Sequence, residues 1–170
     1  TGLVIEDVTI EGLDGTGVLF GDYIARRVDV SGTENGFNAG PNSTIVDSYI
    51  HDLDTSGDAH TDGIQISDGG DNVLIRHNTI DPVPSGSGCT SPVINSNGSS
   101  SNMTVEGNRL LGAGCSVALY CPRSSGIAVH VLNNRVQSGV FGYFDSCEDD
   151  DVRGNVDDLT GASLDSSPPP

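Results

Sequence analysis

A repeat of about twenty residues runs through the chain and constrains its fold more than any other feature. Six segments share one apolar pattern, LVIEDVTI, YIARRVDV, STIVDSYI, VLIRHNTI, MTVEGNRL and VHVLNNRV, and a shorter seventh copy reads DVRGNV. Each ends on an apolar anchor, and the anchors are Ile10, Val30, Ile50, Ile80, Leu110, Val136 and Val156. One such unit cannot bury its apolar side alone, so the repeat predicts stacked units with a shared core.

A second predicted strand follows each of the first six anchors, in the segments GVLF, GFNA, GIQIS, PVIN, SVALY and GVFGYF. The anchor and the residues five and seven before it are mostly Val, Ile, Leu or Met, which predicts that they point inward. Two residues before the anchor, three successive copies carry Asn78, Asn108 and Asn134, which predicts an internal ladder of stacked amides. We therefore predict an all-β, single-stranded right-handed parallel β-helix, a β-solenoid of about seven coils over residues 1–165, followed by a Pro-rich tail or linker at 166–170.

The charge balance restricts the partners. The chain carries 24 acidic residues against seven basic ones, all of them arginine, for a net charge of −17. Such a chain is expected to be repelled by nucleic acid and by anionic membranes. It contains no apolar run long enough to span a bilayer, so membrane insertion is not expected. No secretory signal is present, and the segment is interpreted as a mature or excised piece with room for flanking domains in a longer protein.

Four cysteines indicate an oxidising compartment. Cys89 and Cys115 are 26 residues apart, as are Cys121 and Cys147, an offset close to one coil. Disulfides between adjacent coils are therefore expected, with Cys115–Cys121 as the rival pairing, and they favour a secreted, extracellular protein. Metal ligation is the alternative for four cysteines, but the chain has no CxxC spacing.

Two neighbouring coils have long connections between their strands, after Ile50 and after Ile80. Insertions in repeat proteins collect on one face, which is often the functional one. The first of these loops, HDLDTSGDAHTDG, holds two histidines and four aspartates, and Arg76 and His77 lie on the next coil. A histidine near carboxylates can act as a general acid or base. The candidate catalytic residues are His60, Asp58, Asp62, Arg76 and His77.

A metal site is an alternative use of the same loop. Carboxylates such as Asp52 and Asp54, with Asp58 and Asp62, supply the oxygen ligands that Ca²⁺ prefers, although their spacing does not match an EF-hand. Zinc would need the loop histidines and His77 to converge. No cofactor is expected with certainty, and Ca²⁺ is the one kept open.

Arginines recur at outward positions of the first strand in each coil. This stripe consists of Arg26, Arg27, Arg76, Arg109 and Arg135. Arginine forks bind carboxylates and sulfates, so the stripe, with His51, predicts a surface for an anionic polysaccharide. Pairing between these arginines and acidic residues of neighbouring coils explains the stripe equally well.

The NxI and NxL anchors with a GIQIS-like second strand resemble the parallel β-helix repeats of polysaccharide lyases, C5-epimerases and polygalacturonases, the pectin-lyase-like fold. The resemblance extends over nearly the whole chain. Asp58-Ala59-His60 resembles the D-P-H element of alginate C5-epimerases, which implies Asp58 and His60 as proton-transfer groups. The segment from His60 to Ile64 resembles N-T-D-G-I of polygalacturonases, which implies Asp62 as an acid, but the D-D pair, G-H-G and R-I-K of that family are missing.

The expectation that follows is a carbohydrate-active protein acting on uronate-containing polysaccharide, by β-elimination or C5-epimerisation. His60 would be the base, oriented by Asp58 or Asp62, while Arg76 with His77 would neutralise the substrate carboxylate. The rival is a non-catalytic module that binds glycan or forms an adhesive or structural stalk. An enzyme requires these side chains to converge around a cleft, whereas a binding module requires only an exposed face.

Overall fold

The computed structural model describes residues 2–56, 60–66, 70–84, 86–95, 101–121, 129–147 and 150–165, and within them the chain is all-β, with no helix. Twelve strands form the first sheet: β1 (Leu3–Glu11), β3 (Tyr23–Ser31), β5 (Thr44–Val46), β6 (Tyr49–His51), β8 (Leu74–Arg76), β9 (Thr79–Asp81), β11 (Met103–Glu106), β12 (Arg109–Leu111), β14 (Val129–Leu132), β15 (Arg135–Gln137), β17 (Asp151–Arg153) and β18 (Val156–Asp157). Six strands form the second: β2 (Thr16–Val18), β4 (Asn35–Ala39), β7 (Thr61–Ile66), β10 (Cys89–Asn95), β13 (Leu119–Tyr120) and β16 (Phe144–Asp145). No helix long and apolar enough to cross a membrane occurs in the described part of the chain.

Strands of successive repeats pair in parallel in both sheets. In the first sheet Ile50 pairs with Ile80, and in the second Phe37 pairs with Ile64, which pairs with Val93. Anchors and second-strand residues are buried together in one core cluster that draws on both sheets. The predicted repeat and its inward positions are therefore confirmed for the middle of the chain.

Two predicted register positions are wrong. In the last repeat the residue opposite Val136 is Asp157, not Val156, so the final anchor position is polar. In the second sheet Val93 pairs with Leu119 rather than Val117. The apolar Val156 resembles an anchor, but Val152 and Asn155 stay in register with Val131 and Asn134, which places Asp157 opposite Val136. In the second sheet the turn before the strand varies in length, and the apolar pattern does not fix that length.

A left-handed residue breaks the first strand of each later repeat into two short strands. Its position, three residues before the anchor, is occupied by Asp7, Arg27, Asp47, His77, Gly107, Asn133 and, in the last repeat, Gly154, all with positive φ. Asp, Asn, His and Gly tolerate this conformation better than branched residues do. The kink directs the next residue, the ladder asparagine, into the core.

The predicted asparagine ladder is confirmed and is longer than expected. It consists of Ser48, Asn78, Asn108, Asn134 and Asn155, all buried. The Oδ1 of Asn108 accepts from the backbone N–H of Asn78 at 2.9 Å, and the same contact recurs between Asn134 and Asn108 at 2.9 Å. Each amide thus satisfies backbone donors that would otherwise be buried without partners. At the C-terminal end Asp165 accepts from the N–H of Asn155 at 3.1 Å and closes the ladder.

The glycine that opens the second strand is required by close packing. A Cβ at Gly63 would lie 2.4 Å from Cγ2 of Ile80 and 2.5 Å from the carbonyl oxygen of Pro92. A Cβ at Gly36 would meet Ile50 in the same way, at 2.6 Å. The recurring glycine therefore lets the second strand approach the anchor of the same or the next repeat.

Candidate functional site

The two long connections lie side by side, as predicted. One runs from the end of β6 at His51 to the start of β7 at Thr61, and the other from Asp81 to Cys89. Their backbones are joined where the N–H of Leu53 donates to the carbonyl of Pro82 at 2.7 Å. The corner between the two sheets is therefore built from both insertions.

A groove of about 350 Å³, called the corner groove here, opens beside these loops. The residues lining it are His60, Ser87, Gly88, Cys89, Thr90, Gly114, Cys115, Ser116, Val140 and Phe141. None of them is acidic, although the chain as a whole has a net charge of −17. With both cysteines in a disulfide, the imidazole of His60 is the one ionisable group among these lining residues.

An exposed aromatic side chain stands at the rim of the corner groove. Phe141 is 80% exposed and Val140 is 74% exposed, on a turn closed by the Gly139 N–H and the Gly142 carbonyl at 2.9 Å. The N–H groups of Val140 and Phe141 donate to the carbonyls of Cys115 at 3.0 Å and Ser116 at 2.8 Å. These bonds fix the backbone of the turn that presents the Phe141 ring to solvent, which reduces the ordering cost of binding a ligand there.

The sequence predicts a strand throughout the segment GVFGYF. Only its end, Phe144, belongs to β16, and the first four residues form the turn that presents Phe141. The two glycines three residues apart, Gly139 and Gly142, are the available sign of a turn.

Asp62 does not reach the corner groove surface. It is 1% exposed and belongs to a second internal ladder, in which Asn35 Oδ1 accepts from its N–H at 2.8 Å. Its own Oδ1 accepts from the N–H of Ser91 at 3.1 Å. Burial raises the pKa of Asp62 to about 7, against the hydrogen bond from Ser91, which lowers it. Asp62 therefore lies inside the second ladder and does not line the corner groove.

Arg76 and His77 belong to a different surface. His77 lines a second groove of about 530 Å³ with Asp47, Ser48, Tyr49 and Thr79, called the Tyr49 groove here. It shares no lining residue with the corner groove. Arg76 is exposed and, among the described residues, makes no ion pair. The candidate catalytic groups thus do not converge on one cleft, and Asp58 lies outside the described residues.

His51, predicted to bind substrate, is held by two carboxylates beside the Tyr49 groove. Its Nδ1 lies 2.6 Å from Asp52 Oδ2 and its Nε2 lies 2.9 Å from Asp29 Oδ1. Partial burial disfavours the charged imidazole, but the hydrogen bonds to Asp52 and Asp29 outweigh it and raise the pKa of His51. Tyr49 stacks on the imidazole, with ring centroids 4.1 Å apart and planes inclined by 15°.

The arginine stripe is present on the first sheet, but four of its five members are paired with acids. Arg26 and Arg27 contact Glu6, and Arg27 also contacts Asp7 at 2.7 Å. Arg109 and Arg135 both bind Asp158, at 2.9 Å each, and the side chain of Asp158 is only 3% exposed. These arginines are placed in ion pairs between repeats, which is the alternative considered for the stripe. Asp158 follows the last strand, and the repeat pattern of the sequence did not indicate it as the partner of Arg109 and Arg135.

The acidic loop does not form a cation site in the described part of the chain. Both carboxylate oxygens of Asp54 bind Ser56, at 2.8 Å to its N–H and 3.0 Å to its hydroxyl, while Asp52 binds His51. The one cluster of potential ligand atoms among the described residues is Cys121, Cys147 and Asp150. Its cysteines are bonded to each other, so it offers no thiolate for a metal.

The predicted disulfides are confirmed. Cys89 is bonded to Cys115 and Cys121 to Cys147, and no free cysteine is found. Two disulfides are typical of extracellular proteins.

No protein-family model, curated protein or solved structure matches the chain.

Proposed function

We propose that this protein is a secreted right-handed parallel β-helix that binds uronate-containing polysaccharide in the corner groove, as a glycan-binding module. Parallel strands that alternate between two sheets support a helical winding, and crossovers between parallel strands are right-handed in about 98% of cases. The two disulfides support secretion.

The observation that carries the proposal is the composition of the corner groove. An acid-rich chain repels an acidic polymer over most of its surface, whereas the described lining of this groove contains no carboxylate. Phe141 offers a ring on which a sugar can stack, and the imidazole of His60 offers an N–H donor for a uronate carboxylate. Hydroxyls of Ser87 and Thr90 supply partners for sugar hydroxyls.

Binding is favoured over catalysis because the groups needed for β-elimination are separated. Arg76 and His77 are outside the corner groove and Asp62 is buried. A lyase or C5-epimerase remains the second candidate, favoured by the exposed imidazole of His60, which could remove the C5 proton of a bound uronate.

The binding test is affinity electrophoresis in gels containing pectate or alginate, at low and high salt. We expect retardation that Phe141→Ala and His60→Ala each weaken by roughly tenfold in Kd. Tyr49→Ala, in the other groove, serves as the matched surface control and should leave retardation by acidic polymers unchanged. Equal retardation of all variants, or none for the wild type, would refute the proposal.

The catalytic candidate is tested separately by following the ultraviolet absorbance of unsaturated uronate on the same polymers, with and without Ca²⁺. A flat absorbance trace with retained binding supports the glycan-binding module. Epimerisation is tested separately, by proton exchange at C5 in deuterated water. Product formation that His60→Ala abolishes would establish the lyase instead.

A further inference from the structure

We propose that the Tyr49 groove is a second saccharide-binding site, separate from the corner groove, and that it takes a neutral pyranose ring of a glycan. The site is formed on the first sheet by Asp47, Tyr49, His77 and Thr79, which come from neighbouring repeats and are all described. It does not depend on the function proposed for the corner groove.

Tyr49 provides the platform. Tyr49 is 42% exposed, so part of the residue is open to solvent and to a ligand. One face of the ring is covered by His51, and the remaining exposed surface lines the groove. Because Asp29 and Asp52 hold both imidazole nitrogens, the stacked pair is fixed before any ligand arrives. A preorganised aromatic surface is suited to the apolar face of a sugar ring.

Two uncommitted polar side chains lie next to this ring. The Asp47 carboxylate and the His77 Nδ1 are 3.8 Å apart, too far for a good hydrogen bond, and their side chains are 56% and 62% exposed. A carboxylate accepts from one sugar hydroxyl while an imidazole N–H donates to the next, and Thr79 adds a hydroxyl at the rim. An aromatic floor with a few placed polar groups is the usual form of a small-ligand site.

The charge around the ring selects a neutral sugar. The Asp47 carboxylate lines the groove, and the carboxylates of Asp29 and Asp52 bind the imidazole that stacks on Tyr49. In agreement with this, burial and then the charges of Asp81, Asp52 and Asp29 raise the pKa of Tyr49, while Arg109 lowers it. A uronate or sulfated ring would be repelled from this surface, whereas a neutral ring meets acceptors that suit its hydroxyls.

The test is native affinity electrophoresis in gels with hydroxyethylcellulose, arabinoxylan, galactomannan or β-1,3-glucan, and with pectate as the acidic comparison. We expect at least one neutral polymer to retard the protein, and Tyr49→Ala to weaken that retardation by roughly tenfold in Kd. Tyr49→Phe keeps the ring and should retain most of the binding. Phe141→Ala, in the corner groove, should have no effect on the neutral polymers.

Amide chemical shifts of the wild type, recorded with oligosaccharides of the binding polymer, should move at Tyr49, His77 and Thr79. Circular dichroism and thermal unfolding of each variant show whether it is folded, which is expected because the side chains are at the surface. The proposal is overturned if no neutral polymer retards the protein, if Tyr49→Ala binds as well as wild type, or if Tyr49→Phe loses as much as Tyr49→Ala. It is also overturned if pectate binds through Tyr49.

Discussion

Replacement of Asp62 by asparagine should stabilise the protein, and the gain should depend on pH. The Asp62 side chain is 1% exposed, and burial raises its pKa from 3.8 to about 7. A raised carboxyl pKa means that folding disfavours the ionised form. The penalty is absent below the unfolded-state pKa of 3.8, grows as pH rises towards about 7, and is constant above that.

The size of the effect follows from the shift. Each pKa unit corresponds to about 1.4 kcal/mol, so a shift of about three units gives a penalty of about 4 kcal/mol at about pH 8. Asparagine keeps the Oδ1 acceptor that binds the N–H of Ser91 at 3.1 Å, and it carries no charge. Asn35, the register neighbour of Asp62, already performs this function one repeat earlier.

The assay is urea unfolding of wild type and Asp62→Asn at intervals between about pH 4 and about pH 8. The difference in free energy of unfolding between the two proteins reports the titration of Asp62 alone, because the other acidic residues titrate in both proteins. Asp14→Asn removes the same charge from an exposed position and controls for the net charge of the chain. A difference that does not change with pH, or a variant less stable than wild type at about pH 8, would contradict the reasoning.

Three further substitutions test what holds the repeats together, each by chemical or thermal unfolding. Asn108→Ala should cost about 2–4 kcal/mol, because it leaves buried amide and backbone donors of its neighbours without acceptors; a cost below about 1 kcal/mol would argue against the ladder. Gly63→Ala should cost at least about 2 kcal/mol, because its Cβ would overlap Ile80 and a backbone oxygen; a neutral result would show that the strands can separate freely. Asp158→Asn should lower the free energy of unfolding by about 1–2 kcal/mol near neutral pH, because its pairing with Arg109 and Arg135 is weakened. Hydrogen bonds from Arg109 and Arg135 hold the pKa of Asp158 below its usual value. The loss of stability should therefore fade as pH falls through that lowered pKa. A loss of stability that persists in acid would refute the ion-pair explanation.

Much of the architecture could be predicted from the sequence, because stacked repeats place the same residue types at the same positions in successive strands. Apolar anchors such as Ile50 and Ile80 recur at spacings that place them in register, and a parallel sheet buries them. The asparagine at one fixed position in three copies identified the ladder, since an amide inside a stack can bind only the copies above and below it. The equal spacing of the cysteines identified both disulfides for the same reason.

The candidate sites depended on loop, turn and chain-end residues that do not recur from repeat to repeat. Asp62 looks like a loop acid in sequence, yet the chain turns so that it lies inside the sheet. Asp158 comes after the last strand and pairs with Arg109 across 49 positions, a contact that no repeat spacing indicates. The turn that exposes Phe141 is decided by backbone bonds to Cys115 and Ser116.

Repeat positions could be predicted from sequence and loop positions could not, for a physical reason. Residues that recur at one position of the repeat stack on their copies, so the sequence predicted most core positions and the ladder and favoured the observed disulfides. At corners and loops the direction of a side chain depends on how long the turn is and on what the neighbouring repeat presents. Only the tertiary structure could therefore separate His60 from Arg76 and His77, and place Tyr49 against His51.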